Sequence, residues 1–283
     1  MPRMIGSRLA CALLALILAL GGAAEVTPEA GNEVYQPTPG QPGKDVVWIP
    51  TPDSLVVKML DAVKTSKDDV VYDLGSGDGK IPIAAAKQYG ARAVGIEYNP
   101  EMAELARRNA RREGVDGLVT IVTGDIFVED FSKATVVTMY LLPQLNIKLR
   151  PTILRMTPGT RVTSHQFGMG EWEPDQKLKV ESRDAYVWIV PANVVGTWTL
   201  KDDRGSFSGT LNLSQRYQRI GGTLALGGKT RQLLSPWMEG DKLGFSFVDS
   251  DNHLLSAELR VVGSSMTGAM SDSRRTPLTA SRR

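Results

Sequence analysis

The segment Asp73-Leu74-Gly75-Ser76-Gly77-Asp78-Gly79 sets two acids among glycines at every second position. Such glycines let a backbone turn tightly and allow a ligand to lie against it. The loop follows the apolar run Val70-Val71-Tyr72 and precedes a helical stretch from about Lys80 to Gln88, so it joins a strand to a helix. Glu97 closes a second apolar run, Arg92 to Ile96. A carboxylate there can accept both hydroxyls of a ribose. Asp125 follows Gly124 after a third run, Val119 to Val122, and is placed to meet the edge of a base. Three strand ends therefore bring one acid each to a common rim.

Two ligand classes fit a glycine turn with a ribose acid. A dinucleotide wants G-x-G-x-x-G, with its pyrophosphate at the helix N-terminus. Here the spacing is G-x-G-x-G, and Asp73 and Asp78 flank the loop. Two carboxylates would repel a pyrophosphate. They suit a ligand that carries an ammonium and a sulfonium, namely S-adenosylmethionine. On the acceptor side, Tyr140 follows the fourth apolar run and His165 the fifth. Tyr140 can accept a hydrogen bond from an amine or form an aromatic gate. His165 has an ordinary pKa suited to taking a proton, although a lone histidine at a strand end also fits a structural role. Trp172 reads as a packed lid residue, and His253 sits in turn company and receives no role.

The elements that must position these groups alternate. Thr51-Pro52-Asp53 opens a helix with Thr51 as N-cap, and Leu55, Val56, Met59, Leu60 and Val63 share one of its faces. Asn99-Pro100 opens another that reaches about Glu113, and a helix containing Pro151 precedes a strand near Arg161 to Ser164. The order β-α-β-α-β-β-α-β predicts an open α/β sheet with helices on both faces over residues 46–192. After about Val195 the pattern changes to period two, as in Gly209-Thr210-Leu211-Asn212-Leu213 and Leu243-Gly244-Phe245-Ser246-Phe247. This predicts a small antiparallel β-barrel-like module over 195–270, with Trp198, Leu211, Leu213, Leu224, Phe245, Phe247 and Leu259 as its core. Such a module could hold an apolar ligand or cover the first region, and it also fits a plain structural appendage. Residues 25–45, with four prolines, read as a linker, and the Ser/Thr/Arg-rich stretch 271–283 as a disordered basic tail.

Composition excludes several classes. Lys and Arg number 33 against 31 Asp and Glu, so bulk charge does not predict a nucleic-acid partner. One cysteine and two histidines do not make a disulfide scaffold or an ordinary zinc site, and no metal is expected. Arg3 and Arg8 precede an apolar run from Leu9 to Leu20 that ends in Gly21-Gly22-Ala23-Ala24, the form of a secretory signal peptide cut after Ala23 or Ala24. The expected location is periplasmic or secreted. A retained membrane anchor is the alternative, which would keep the chain near a membrane, but the segment is shorter than the roughly 20 residues a span needs.

The motifs D-L-G-S-G-D-G, G-I-E-Y-N-P and G-D-I-F at these spacings resemble those of class I S-adenosylmethionine-dependent methyltransferases. A longer pattern, from Pro50-Thr51-Pro52 through Met139-Tyr140-Leu141-Leu142-Pro143 to Ser164-His165 and Trp172, resembles bacterial relatives of the mitochondrial protein-lysine methyltransferases that act on the adenine nucleotide translocase and the ATP synthase c subunit. The resemblance implies a Rossmann-like methyltransferase sheet and S-adenosylmethionine as co-substrate. It implies that Asp73, Gly75, Ser76, Gly77 and Gly79 hold the methionine part, Glu97 the ribose, and Asp125 with Ile126 the adenine. It also implies methyl transfer to an amine, a protein lysine among the acceptors, by in-line displacement. The alternative expectation is an exported two-module binding or structural protein with a vestigial donor pocket.

Overall fold

The computed structural model describes residues 35–205, 207–271 and 275–283. The segment expected to be a signal peptide, 1–24, and the first part of the expected linker lie outside the described residues. Residues 35–283 form one compact unit.

Its first half is a seven-stranded sheet of β1(Val70–Leu74), β2(Arg92–Glu97), β3(Val119–Thr123), β4(Val136–Met139), β5(Arg161–His165), β6(Gln176–Val180) and β7(Arg183–Ile189). The order is β3-β2-β1-β4-β5-β7-β6, parallel throughout except for β7, which runs antiparallel to both its neighbours. Four helices accompany it: α1(Asp53–Ala62), α2(Lys80–Tyr89), α3(Pro100–Arg112) and α4(Pro143–Ile153). The central strands read as continuous apolar runs because both of their faces are covered, and all four residues of β4 are buried. From β1 the chain works outward to β3, then returns to the other side of β1 at β4. The strand ends part at that reversal, and a crevice opens there.

Local chemistry sets the helix ends. The Asn99 side chain accepts from the Glu101 and Met102 backbone N–H groups at 2.9 and 3.2 Å, with Pro100 in the first turn of α3. Thr51 does not cap α1 as expected. Pro52 holds the cap position without a side-chain bond, and the Thr51 hydroxyl instead meets His165 Nδ1 at 3.1 Å. A residue 114 positions away competes successfully for that hydroxyl.

The second half is a nine-stranded antiparallel sheet, β8(Gly196–Asp202), β9(Ser208–Arg216), β10(Arg219–Leu226), β11(Lys229–Gln232), β12(Leu234–Glu239), β13(Lys242–Val248), β14(Leu254–Val262), β15(Ser265–Met270) and β16(Pro277–Arg282). Its order is β11-β10-β9-β8-β16-β15-β14-β13-β12, and its two ends lie against each other to make a nearly closed barrel. All seven apolar residues expected in its core are buried, and Trp198, Phe245 and Phe247 fill the interior.

Two expectations are corrected. Residues 277–282, expected in a disordered tail over 271–283, form a strand: β16 pairs with both β8 and β15 in the middle of the barrel. Its charged and hydroxylic composition hid this. A strand needs only alternate residues inside, here Leu278 and Ala280, with Arg282 on the same side over the Trp198 ring and Thr279 and Ser281 exposed on the other. The expected linker is also structured in part. Gly40 N–H donates to Trp48 O at 2.7 Å and Trp48 N–H to Gln41 O at 2.9 Å, which closes a small strap over residues 40–48.

Candidate functional site

A cavity of about 550 Å³ lies outside the carboxyl ends of β1, β2, β3 and β4. The β1–α2 loop forms its floor. Gly75 and Ser76 N–H both donate to Ile96 O, at 2.9 and 3.0 Å, and so pin the loop to the end of β2. Gly77 stands at φ +54°, and a Cβ there would come within 2.6 Å of Trp48 Nε1 in the strap. Gly77 N–H donates to Glu97 Oε2 at 2.9 Å, while Asn99 N–H donates to Glu97 Oε1 at 2.9 Å. Glu97 is thus held by two backbone donors.

Asp73 is the most constrained acid. It is buried and accepts from the Thr138 hydroxyl at 2.6 Å across the β1–β4 pairing. Burial pushes its pKa up to about 7, the Thr138 bond opposes the shift, and the charges of Asp78 and Glu97 add to it. Burial also raises Asp78. The Ser76 hydroxyl is buried and has no partner among the described residues. A floor with excess negative charge and an orphaned hydroxyl fits a cationic, hydrogen-bonding ligand and disfavours a pyrophosphate.

At the far end, Asp125 and Ile126 line the cavity. Asp125 Oδ1 accepts from Phe127 N–H at 2.9 Å, and Oδ2 from Lys44 Nζ at 2.6 Å. The Lys44 ammonium bonded to Asp125 holds that carboxyl below the usual range. The same ammonium lies 4.4 Å from the centre of the Tyr98 ring. The strap therefore occupies the acid that the sequence assigns to the base edge.

Of the residues expected at the site, Asp73, Gly75, Ser76, Gly77, Glu97, Asp125, Ile126 and Tyr140 line the cavity. Gly79 does not. At φ +82° it ends the loop against α3, where a Cβ would meet Ala106 Cβ at 3.0 Å, so its glycine serves helix packing. His165 does not line it either. It is fully buried behind Tyr140, the two ring centres 3.8 Å apart, and Nε2 has no partner among the described residues. Burial, with a smaller effect of Arg183, lowers its pKa to about 4, so it is neutral and out of reach as a base for the acceptor. Trp172 is fully buried, as a packed residue. His253 meets Asp249 in the turn between β13 and β14, far along the chain from the cavity.

Sequence reasoning missed the strap and Phe167, which lines the cavity beside Tyr140 with ring centres 6.3 Å apart. One signal existed. Trp48 is a large aromatic in a proline-rich stretch, and such a side chain is seldom left wholly in water.

The fold and this floor define a nucleoside-binding α/β transferase that takes a cationic donor. Residues 73–176 match the ANTKMT methyltransferase domain. A protein-lysine N-methyltransferase of Saccharolobus islandicus is 44% identical over 151 residues, which span 51% of this chain and 94% of that protein. The human lysine N-methyltransferase of the ATP synthase c subunit is 38% identical over 121 residues, 42% of this chain and 50% of that one. An RNA methyltransferase from Salinibacter ruber, solved with S-adenosyl-L-homocysteine, is 48% identical with a TM-score of 0.51, over 52% of this chain and 96% of that one. The chain belongs to this methyltransferase family and is an S-adenosylmethionine-dependent methyltransferase. Nearly all of the Saccharolobus protein corresponds to about half of this chain.

Proposed function

We propose that the chain transfers methyl groups to lysine amines of proteins. The observation that carries this reading is the acceptor side of the cavity, an aromatic wall of Tyr140 and Phe167 beside a floor of carboxylates, in a chain similar to protein-lysine methyltransferases. When bound, S-adenosylmethionine supplies a methyl group already activated by its sulfonium. The protein's part is to position and to exclude water. Asp73 and Asp78 would hold the ammonium, Glu97 the ribose hydroxyls, and Asp125 with Ile126 the base.

An amine must be neutral to attack. A lysine of pKa ~10.4 is about 0.04% neutral at pH 7, a cost of roughly 4.6 kcal/mol unless its surroundings lower that pKa. The rings of Tyr140 and Phe167 strip water from the ammonium, which favours the neutral form. The Tyr140 hydroxyl can accept a hydrogen bond from the amine and orient it. His165 takes no proton here. It fixes the Tyr140 ring from behind, with Thr51 fixing it in turn.

The test supplies methyl-labelled S-adenosylmethionine to the purified chain with separate protein and RNA fractions. Label recovered as methyl-lysine in hydrolysed protein is the expected result. Label confined to RNA overturns the lysine reading. We also propose, from the charged, apolar and small-residue order of residues 1–24, that the chain is exported and cleaved. Mass spectrometry of the native protein should find a first residue near Ala24 or Glu25, and an intact Met1 overturns this.

A further inference from the structure

We infer that Tyr217, carried by the barrel, is a positioning residue for the acceptor wall of the cavity. Tyr217 opens the two-residue turn that joins β9 to β10, with Arg216 and Arg219 paired across it. Its φ is +56°. Two-residue hairpins give such a position to glycine, asparagine or aspartate, and a bulky side chain adopts it only against a steric cost. A local rule broken in an otherwise regular hairpin calls for a compensating contact.

That contact lies in the other half of the molecule. The Tyr217 ring is half-buried among the side chains of the α/β core, not those of the barrel. It stacks on Trp172 with ring centres 6.0 Å apart and planes 17° apart. The Arg150 guanidinium lies 5.6 Å from the centre of the same ring, while Arg150 Nη1 donates to Met169 O at 2.8 Å. Gln218, next in the turn, donates to Glu173 O at 2.7 Å, and Arg216 pairs with Glu171 at 2.9 Å. The hairpin tip therefore grips the loop that follows β5 at residues 171–173. Phe167, the acceptor wall, stands in that loop, and its ring stacks with Tyr140. Arg150 ties the tip directly to the loop backbone two residues beyond Phe167.

The kinetic part of this inference rests on the methyltransferase reading, and the structural part does not. Tyr217→Gly removes the ring and at the same time relieves the backbone, so the barrel should fold at least as well. Tyr217→Asn, which also tolerates this φ, is a second variant should the first misbehave, and Tyr217→Phe keeps the ring. Hydrogen exchange on the full chain should show faster exchange over 166–172 in Tyr217→Gly and Tyr217→Asn, with residues 70–79 unchanged. With poly-L-lysine as acceptor, KM should rise at least about tenfold, the scale of small misplacements at a reacting centre. Donor affinity should stay within about twofold, and Tyr217→Phe should match the wild type throughout. Unchanged exchange over 166–172 overturns the inference, as does faster exchange with an unaltered acceptor KM. If the wild type methylates no lysine, the lysine reading fails separately, and the exchange result alone decides whether Tyr217 holds the wall.

Discussion

The α/β sheet and the barrel treat buried polar groups in opposite ways. Among the described residues, Asp73, Ser76, Thr138, Asn146, Thr163, Ser164 and His165 are all buried in the first region, near the carboxyl ends of its strands. In the barrel the buried polar side chain is Asp202, at its edge, and the interior is aromatic and aliphatic. A buried polar group costs stability unless it is partnered. Of the buried side-chain atoms left without a partner among the described residues of the first region, the Ser76 hydroxyl lines the cavity, where a ligand can supply that partner. The barrel interior is aromatic and aliphatic and behaves as filler that shapes a neighbour. A chemical site and a brace can thus be told apart by where desolvated polarity is tolerated.

Substitutions should separate the two regions. Gly77→Arg combines a disfavoured φ with a collision against Trp48, so it should abolish donor binding in calorimetry while the barrel stays folded. Measurable donor binding by that variant would break the assignment of the floor. Phe247→Ala, in the barrel interior, should cost about 3–5 kcal/mol of stability in denaturant unfolding. Its donor affinity, measured well below its unfolding midpoint, should match the wild type. A loss of donor binding would mean that the barrel does more than brace.

A third contrast is in pH. Burial raises Asp73 to about 7, so the folded chain favours its protonated form. The stabilisation this provides is complete below the ordinary carboxylate range and is lost as pH rises to about 7. A donor ammonium reverses the preference, because it binds the ionised carboxylate. Donor affinity should therefore rise with pH through about 7, with proton release below it, as calorimetry in buffers of different ionisation enthalpy would report. Asp73→Asn should flatten that dependence. His165, lowered to about 4, should contribute no limb near pH 6.5 to the turnover profile, and His165→Asn should leave the profile's shape unchanged.

The smallest effect concerns the strap. Lys44 sits on the Asp125 carboxylate that the base edge would use. Exposed pairs of this kind are weak, so Lys44→Ala should tighten donor binding by no more than about fivefold, most clearly at low salt. Weaker binding in that variant would show that the strap closes over the donor and does not compete with it.

Much of the floor was legible in the sequence because its requirements are local. Glycines at 75 and 77 serve a backbone of positive φ, and acids at strand ends follow directly from where apolar runs stop. The barrel core was legible for the same reason, since period two marks an inward face whatever its partner. Gly79 misled because a glycine required for φ looks alike whether its neighbour is a ligand or the Ala106 of another helix. The strand at 277–282 was hidden because its outward residues, Thr279 and Ser281, are polar and exposed, and its inward face holds only Leu278 and the small Ala280 as apolar residues, while the pairing with β8 and β15 is made by backbone that leaves no mark in the sequence.

What the tertiary structure decided is every pairing made across long stretches of chain. His165 could be a base or a buried prop until Thr51 and Tyr140 were seen against it. Lys44 could be a linker charge until Asp125 stood beside it, and Tyr217 an awkward turn residue until Trp172 lay under its ring. Short-range sterics and periodicity act within a few residues and are written in the order of side chains. A contact between distant positions depends on which surfaces meet when two cores are closed together, and no local pattern carries that choice.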